Sequence, residues 1–98
     1  MEFTTLGQVV MTRGIAQHVD KGLGAFIQSC LERYKKCDWG DMEKDDIEMN
    51  NRAIKVDDRV LVAYNLPDNL KEITGEDKIW IITEWNRSVT TILYPSEY

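Results

Sequence analysis

The stretch Lys78–Pro95, KIWIITEWNRSVTTILYP, decides how the chain folds. Two runs rich in β-branched and aromatic residues, Lys78–Glu84 and Val89–Tyr94, flank the polar clump Trp85-Asn86-Arg87-Ser88. Such residues favour strands, and a short polar connection suits a hairpin, so two antiparallel strands are expected. Pro95 stops the second strand. Asn tolerates the left-handed conformation and Ser bonds to nearby backbone, which fits the clump to a turn, and Arg87 is placed to pair with Glu84 across it. Loops carried on rigid strands also serve recognition, so Trp85, Asn86 and Arg87 form a candidate contact point. In the first run Ile79, Ile81 and Thr83 point one way and Trp80, Ile82 and Glu84 the other. Both sets are largely apolar, which predicts a central strand or one whose second face meets a partner.

Working outwards, Arg59–Leu66 (RVLVAYNL) reads as another strand and Pro67–Asp77 as a polar loop. Leu6–Arg13 (LGQVVMTR) reads as the first strand, and Asp20 is a candidate N-cap for the helix that follows. From Ala25 to Lys36 the residues Phe26, Ile27, Cys30, Leu31 and Tyr34 form one helical stripe, with cations in the last turn. Gly40 suits the end of that helix or a tight turn. Asp41 is a candidate N-cap for a second helix ending at Asp57-Asp58. Its apolar positions, Met42, Met49 and Ala53 on one line and Ile47 and Ile54 on another, make a weak stripe typical of a surface helix. The order β-α-α-β-β-β predicts an α+β fold over residues 1–98: a mainly antiparallel four-stranded sheet with two helices packed on one face, in a single domain.

A content of 43% hydrophobic and 30% charged residues suits a globular protein. No run approaches the roughly 20 apolar residues that span a bilayer. The start, MEFTTLGQVVMTRG, has neither the basic opening nor the apolar run of a signal peptide, so a cytoplasmic location without a membrane partner is expected. Cys30 and Cys37 on one helix would stand about 10.5 Å apart along its axis, beyond disulfide reach, and read as free thiols. Residues 38–58 hold eight acids against three bases and so carry the whole net charge of −5. Such a chain repels phosphates, which disfavours direct binding of nucleic acid.

His18, Cys30 and Cys37 are the only soft metal donors and lack ligand spacing, so no metal and no cofactor are expected. A single His leaves nucleophilic catalysis without a base except through a Cys37–His18 pair, and no catalytic residue is assigned. Cys30 reads as a small buried hydrophobe. Gly22 and Gly24 lack the third glycine of a phosphate-binding turn. The acidic segment has two readings. It is a solvated helix face, or Asp38, Trp39, Asp41, Glu43, Asp45, Asp46 and Glu48 dock on the basic groove of a host protein with Trp39 as anchor. Trp39 has its own alternative as a core plug between the two helices.

The segments VVMTRGIAQHV, CDWGDMEKDDIEMNNRAI and KIWIITEWNRSVTTILYPSEY together resemble a group of short bacterial proteins carried on plasmids, conjugative elements and phages. The DWGD segment and the WIITExxRSxTTILxPxEY ending carry the resemblance most specifically, and it covers much of the chain. It supplies no catalytic residues. What it implies is context: small acidic proteins of such elements counter host defences by occupying a nuclease's nucleic-acid groove or another of its surfaces. The expectation is a non-enzymatic protein of a mobile element that inhibits a restriction or CRISPR effector. The alternative is a homodimeric structural or regulatory module of plasmid or phage maintenance, joined through a sheet face or edge.

Overall fold

The computed structural model describes residues 2–98. It has an α+β fold whose four strands are β1 (Gln8–Met11), β2 (Val60–Asn65), β3 (Lys78–Thr83) and β4 (Val89–Leu93). They lie in the order β1-β4-β3-β2. The helices are α1 (Arg13–Ala16), α2 (Leu23–Lys35), α3 (Lys44–Val56) and α4 (Asp68–Thr74), with short 3-10 turns at Val19–Lys21 and Pro95–Glu97.

The hairpin forms as expected, and β3 is central, between β4 and β2. Three features correct the expected architecture. Arg13, expected to end the first strand, instead starts α1, so the order is β-α-α-α-β-α-β-β with four helices rather than β-α-α-β-β-β with two. The sheet is mixed, because β1 runs parallel to β4. The helices between β1 and β2 return the chain so that both strands run the same way at opposite edges, a pairing that no local pattern discloses. The segment expected to be a loop contains α4: Pro67 sits at its N-cap, Gly75 ends it with φ of 71°, and Leu70 is buried. Pro before a helix and Gly after it is a recognised asymmetry, and here it outweighs the segment's polarity.

Helix ends differ from expectation as well. Gly22 at φ of 101°, not Asp20, precedes α2. Cys37 rather than Gly40 closes α2. At φ of 60° it donates to the Tyr34 carbonyl while Asp38 N–H donates to that of Arg33, as in a Schellman motif. Asp41 does not cap α3, since Glu43 holds the N-cap position without a side-chain bond.

The core sits on one face of the sheet. Ile15 of α1, Leu23, Ile27, Cys30 and Tyr34 of α2, and Leu70 of α4 pack against Val60, Val62, Tyr64, Ile79, Ile81 and Ile92. A buried hydroxyl relay crosses this core. Thr90 Oγ1 donates to the Leu6 carbonyl at 2.7 Å, and Thr83 Oγ1 lies 2.7 Å from both Thr90 Oγ1 and the Tyr34 hydroxyl. Because the last acceptor is a carbonyl, Thr83 must donate to Thr90 and Tyr34 to Thr83. All three hydroxyls are fully buried and satisfied. On the other face Trp80 meets Tyr98 edge-on at 5.5 Å, and Arg59 donates to the Tyr98 hydroxyl at 2.9 Å. The C-terminal turn thus folds back over the second apolar face of β3. Among the described residues no helix is long and apolar enough to cross a membrane.

Thr83→Val keeps the shape but leaves the Tyr34 hydroxyl without an acceptor. The expected loss is about 1–3 kcal/mol, read as a lower urea midpoint at unchanged slope. Burial also pushes the Cys30 thiol from 9.0 up to about 12 and the Tyr94 phenol from 10.0 up to about 12, and it raises Tyr34 and Tyr64. These groups hold their protons more tightly when folded. Stability is therefore complete below the thiol's ordinary 9.0 and falls as pH rises towards about 12, where the folded thiol ionises. Thermal midpoints measured upwards from neutrality check this sign.

Candidate functional site

The acidic segment divides into a structural part and a free part. Its first part seals the outer edge of β2. Leu66 N–H donates to the Asp77 carbonyl, so even-numbered residues of β2 face β3 and Leu61, Ala63 and Asn65 face outwards. Asn50, buried on α3, accepts from Leu61 N–H at 3.4 Å and donates to the Leu61 carbonyl at 2.9 Å. The sulfur of Met42 accepts from Ala63 N–H, and Asp41 N–H donates to the Ala63 carbonyl at 3.0 Å. Asp41 Oδ2 accepts from Asn65 N–H at 2.8 Å. Gly40 bridges to Ala63 at φ of 66°, and a Cβ there would stand 2.6 Å from the Ala63 carbonyl oxygen.

Asp38 is held by a two-pronged contact with Arg33, at 2.8 and 3.1 Å. That guanidinium, helped by the Gly40 N–H, keeps the Asp38 carboxyl below its usual range. The Tyr64 hydroxyl donates to the Asp38 carbonyl. Trp39 is 2% exposed, packs edge-on against Tyr34 and Phe3, and donates its indole N–H to Asn51 Oδ1 at 2.8 Å. It is the core plug between α2 and α3, so it offers no ring to a partner. Asp38, Trp39 and Asp41 therefore have work inside the fold.

Glu43, Asp45, Asp46 and Glu48 are all exposed, and among the described residues none of them joins an ion pair. The inner side of α3 is made by Ile47, Asn50, Ala53 and Ile54. This turns Met49 outwards, against the expected stripe, together with Val56 seven residues on, at 67% and 59% exposed. Between α3 and β2 runs an open groove of about 290 Å³, lined by Met42, Met49, Ala53 and Leu61 together with Asp46, Asp58 and Arg59. Sequence reading missed Met49 and Val56 as surface residues. The signal was present, since a helical projection that puts Ile47 and Ile54 inside puts these two outside.

The hairpin clump separates too. Trp85 is 63% exposed and Asn86 is exposed, its Oδ1 accepting from Ser88. Arg87, not Asn86, adopts the left-handed conformation, at φ of 58°. It makes no pair with the Glu84 carboxylate. Its guanidinium donates instead to the carbonyls of Ala53 at 2.9 Å, Asp58 at 2.6 Å and Glu84 at 3.2 Å, and lies 5.1 Å from the Phe3 ring centre. Arg87 thus supplies the Asp58 carbonyl with its partner and adds a third donor to the Ala53 carbonyl, which also accepts from Asp57 and Asp58 N–H, at a helix end where a cation suits the dipole.

The remaining chemical candidates stay apart. His18 Nδ1 lies 3.1 Å from the Gly14 carbonyl and 3.0 Å from the Tyr94 hydroxyl, and no hydrogen bond joins it to Cys37 among the described residues. Cys30 and Cys37 are free thiols, the first buried, and burial raises both. No group of three or more His, Cys, Asp or Glu side chains is placed to hold a metal ion among the described residues. No family model, no curated protein and no solved structure matches the chain.

Trp85 and Arg87 are neighbours in the turn with opposite structural weight. Arg87→Ala is expected to cost about 2–4 kcal/mol through its lost charged hydrogen bonds. Trp85→Ala is expected to stay within about 0.5 kcal/mol. Denaturant titration of the two variants side by side checks the contrast.

Proposed function

We propose that the protein is a non-enzymatic accessory of a bacterial mobile element, acting in the host cytoplasm. In this reading it binds a host nucleic-acid-handling defence enzyme, such as a restriction or CRISPR effector, on that enzyme's basic surface. The observation that carries the reading is the excess of carboxylates at the start of α3 that are unpaired among the described residues, with Lys44 the one cation beside them. Folding draws Asp38 and Asp41 into intrachain contacts yet leaves Glu43, Asp45, Asp46 and Glu48 exposed without ion pairs. Held on a rigid helix, these carboxylates give a fixed negative field that would steer the chain to a phosphate-binding groove. Met49, exposed among them, replaces Trp39 as the apolar anchor of the contact. The protein would occupy the groove in place of nucleic acid.

The test uses the four free carboxylates only. Glu43→Lys, Asp45→Lys, Asp46→Lys and Glu48→Lys combined should keep the circular dichroism spectrum and abolish stoichiometric capture of the effector from nuclease-treated lysate. At low salt the unaltered protein should associate faster than at high salt, because screening shortens the reach of the field. Undiminished capture by a folded fourfold variant would remove α3 from the contact.

A further inference from the structure

The two edges of the sheet are treated in opposite ways. On β2 every outward backbone group of Leu61 and Ala63, and the N–H of Asn65, has a partner. On β1, Gln8 N–H donates to the Ser88 carbonyl and Thr12 N–H to that of Ile92, both at 3.1 Å. In a parallel ladder this turns Gln8, Val10 and Thr12 towards β4 and points the N–H and C=O groups of Val9 and Met11 away from the sheet. Those outward groups have no protein partner among the described residues. Their side chains are 43% and 46% exposed. A bare apolar edge is a template for another strand; Gln8–Met11 carries no charge, proline or bulge to blunt it, and only its length of four residues limits the pairing it offers.

We infer that this edge is a self-association surface: β1 pairs antiparallel with β1 of a second copy around a two-fold axis at Val10. The spacing of the free groups selects the register. With Val9 of each copy opposite Met11 of the other, both pairs exchange N–H···O=C bonds and every outward group of Val9 and Met11 is used. Centring on Val9 would bring Gly7 into the ladder, but Gly7 has φ of 64° and lies against the Arg87 and Ser88 carbonyls. Centring on Met11 would bring in Arg13, which already belongs to α1.

Charge placement favours a second copy as the occupant. Each chain carries a net charge of −5, all of it attributable to residues 38–58. That segment covers the β2 edge, at the opposite end of the sheet order from β1. Two copies can therefore meet through an uncharged strand with their acidic helices at the far ends of one continuous eight-stranded sheet. Such an assembly would carry the same acidic face twice, and its existence does not depend on what that face binds.

The test is sedimentation equilibrium of the purified chain from about 1 μM to about 1 mM. A concentration-dependent dimer is expected. Val9→Pro removes an outward donor that the β4 ladder does not use, at the kind of edge position where proline is tolerated, and should weaken dimerisation at least about tenfold. Should that variant misfold, a second reads the register directly. Val10→Cys with Cys37→Ser places thiols across the axis, where facing Cα atoms of a non-hydrogen-bonded pair lie about 4.5 Å apart, so oxidation should give an interchain disulfide. A monomer at every concentration overturns the proposal, as does a dimer that a folded Val9→Pro leaves intact and Val10→Cys does not cross-link. If the chain is monomeric and Val9→Pro abolishes effector capture, the edge serves a strand of that partner instead. The fourfold charge reversal of α3 should leave dimerisation at least as strong, which separates this proposal from the acidic-surface reading.

Discussion

The outer edge of β2 sets the terms for half of the molecule. A strand end-on to solvent leaves alternate N–H and C=O groups unpaired, and here side chains and a single bridging residue stand in for the missing strand. Asn50 meets Leu61 as a peptide would, one donor and one acceptor on a planar amide. For Asn50 to reach that position α3 must lie along the strand, which fixes which of its residues are outside. For Asp41 to reach Asn65 the chain must pass Gly40 close against Ala63 and Tyr64, where a Cβ cannot fit. Trp39 lies inwards between Gly40, which is committed to the edge, and Asp38, which is held by Arg33 of α2 and the Tyr64 hydroxyl. The DWGD segment is an edge seal whose acidity is partly structural.

The same economy appears at Arg87. Sequence proximity suggests a salt bridge with Glu84, but a surface pair of that kind contributes little. Three carbonyl acceptors at the end of α3 and in the turn offer a guanidinium more: that of Asp58 has no other partner among the described residues, and those of Ala53 and Glu84 take it beside the backbone N–H groups they already accept from. Arg87 thus adds a cation from the hairpin to Lys55 of the last turn of α3 itself.

Much of the fold was legible in the chain, and what was missed has physical causes. The hairpin, the central place of β3 and the buried stripe of α2 follow from local alternation and helical spacing, which read directly from residues such as Ile79, Ile81 and Tyr34. The parallel pairing of β1 was hidden because its partner lies some eighty residues away and no turn connects them. The α4 helix was hidden by polarity, although Pro67 and Gly75 mark its ends. At the candidate surface the acidic composition was plain. The division between Asp38 or Asp41, which the fold uses, and Glu43–Glu48, which it does not, depends on tertiary hydrogen bonds that composition cannot disclose. Met49 lies off the weak stripe that Met42, Met49 and Ala53 suggest, because the polar Asn50 holds the inner position beside it.

The Arg87 contact also bears on how the molecule opens. Two of its bonds join the hairpin tip to the last turn of α3, at Ala53, and to Asp58 just beyond it. Neither element can loosen alone without stranding carbonyls or a guanidinium, so the two should share one free energy of opening. Amides at the end of α3 and in the β3–β4 turn would then exchange their hydrogens with solvent at a common rate, unlike the freely fraying helix ends of most small proteins.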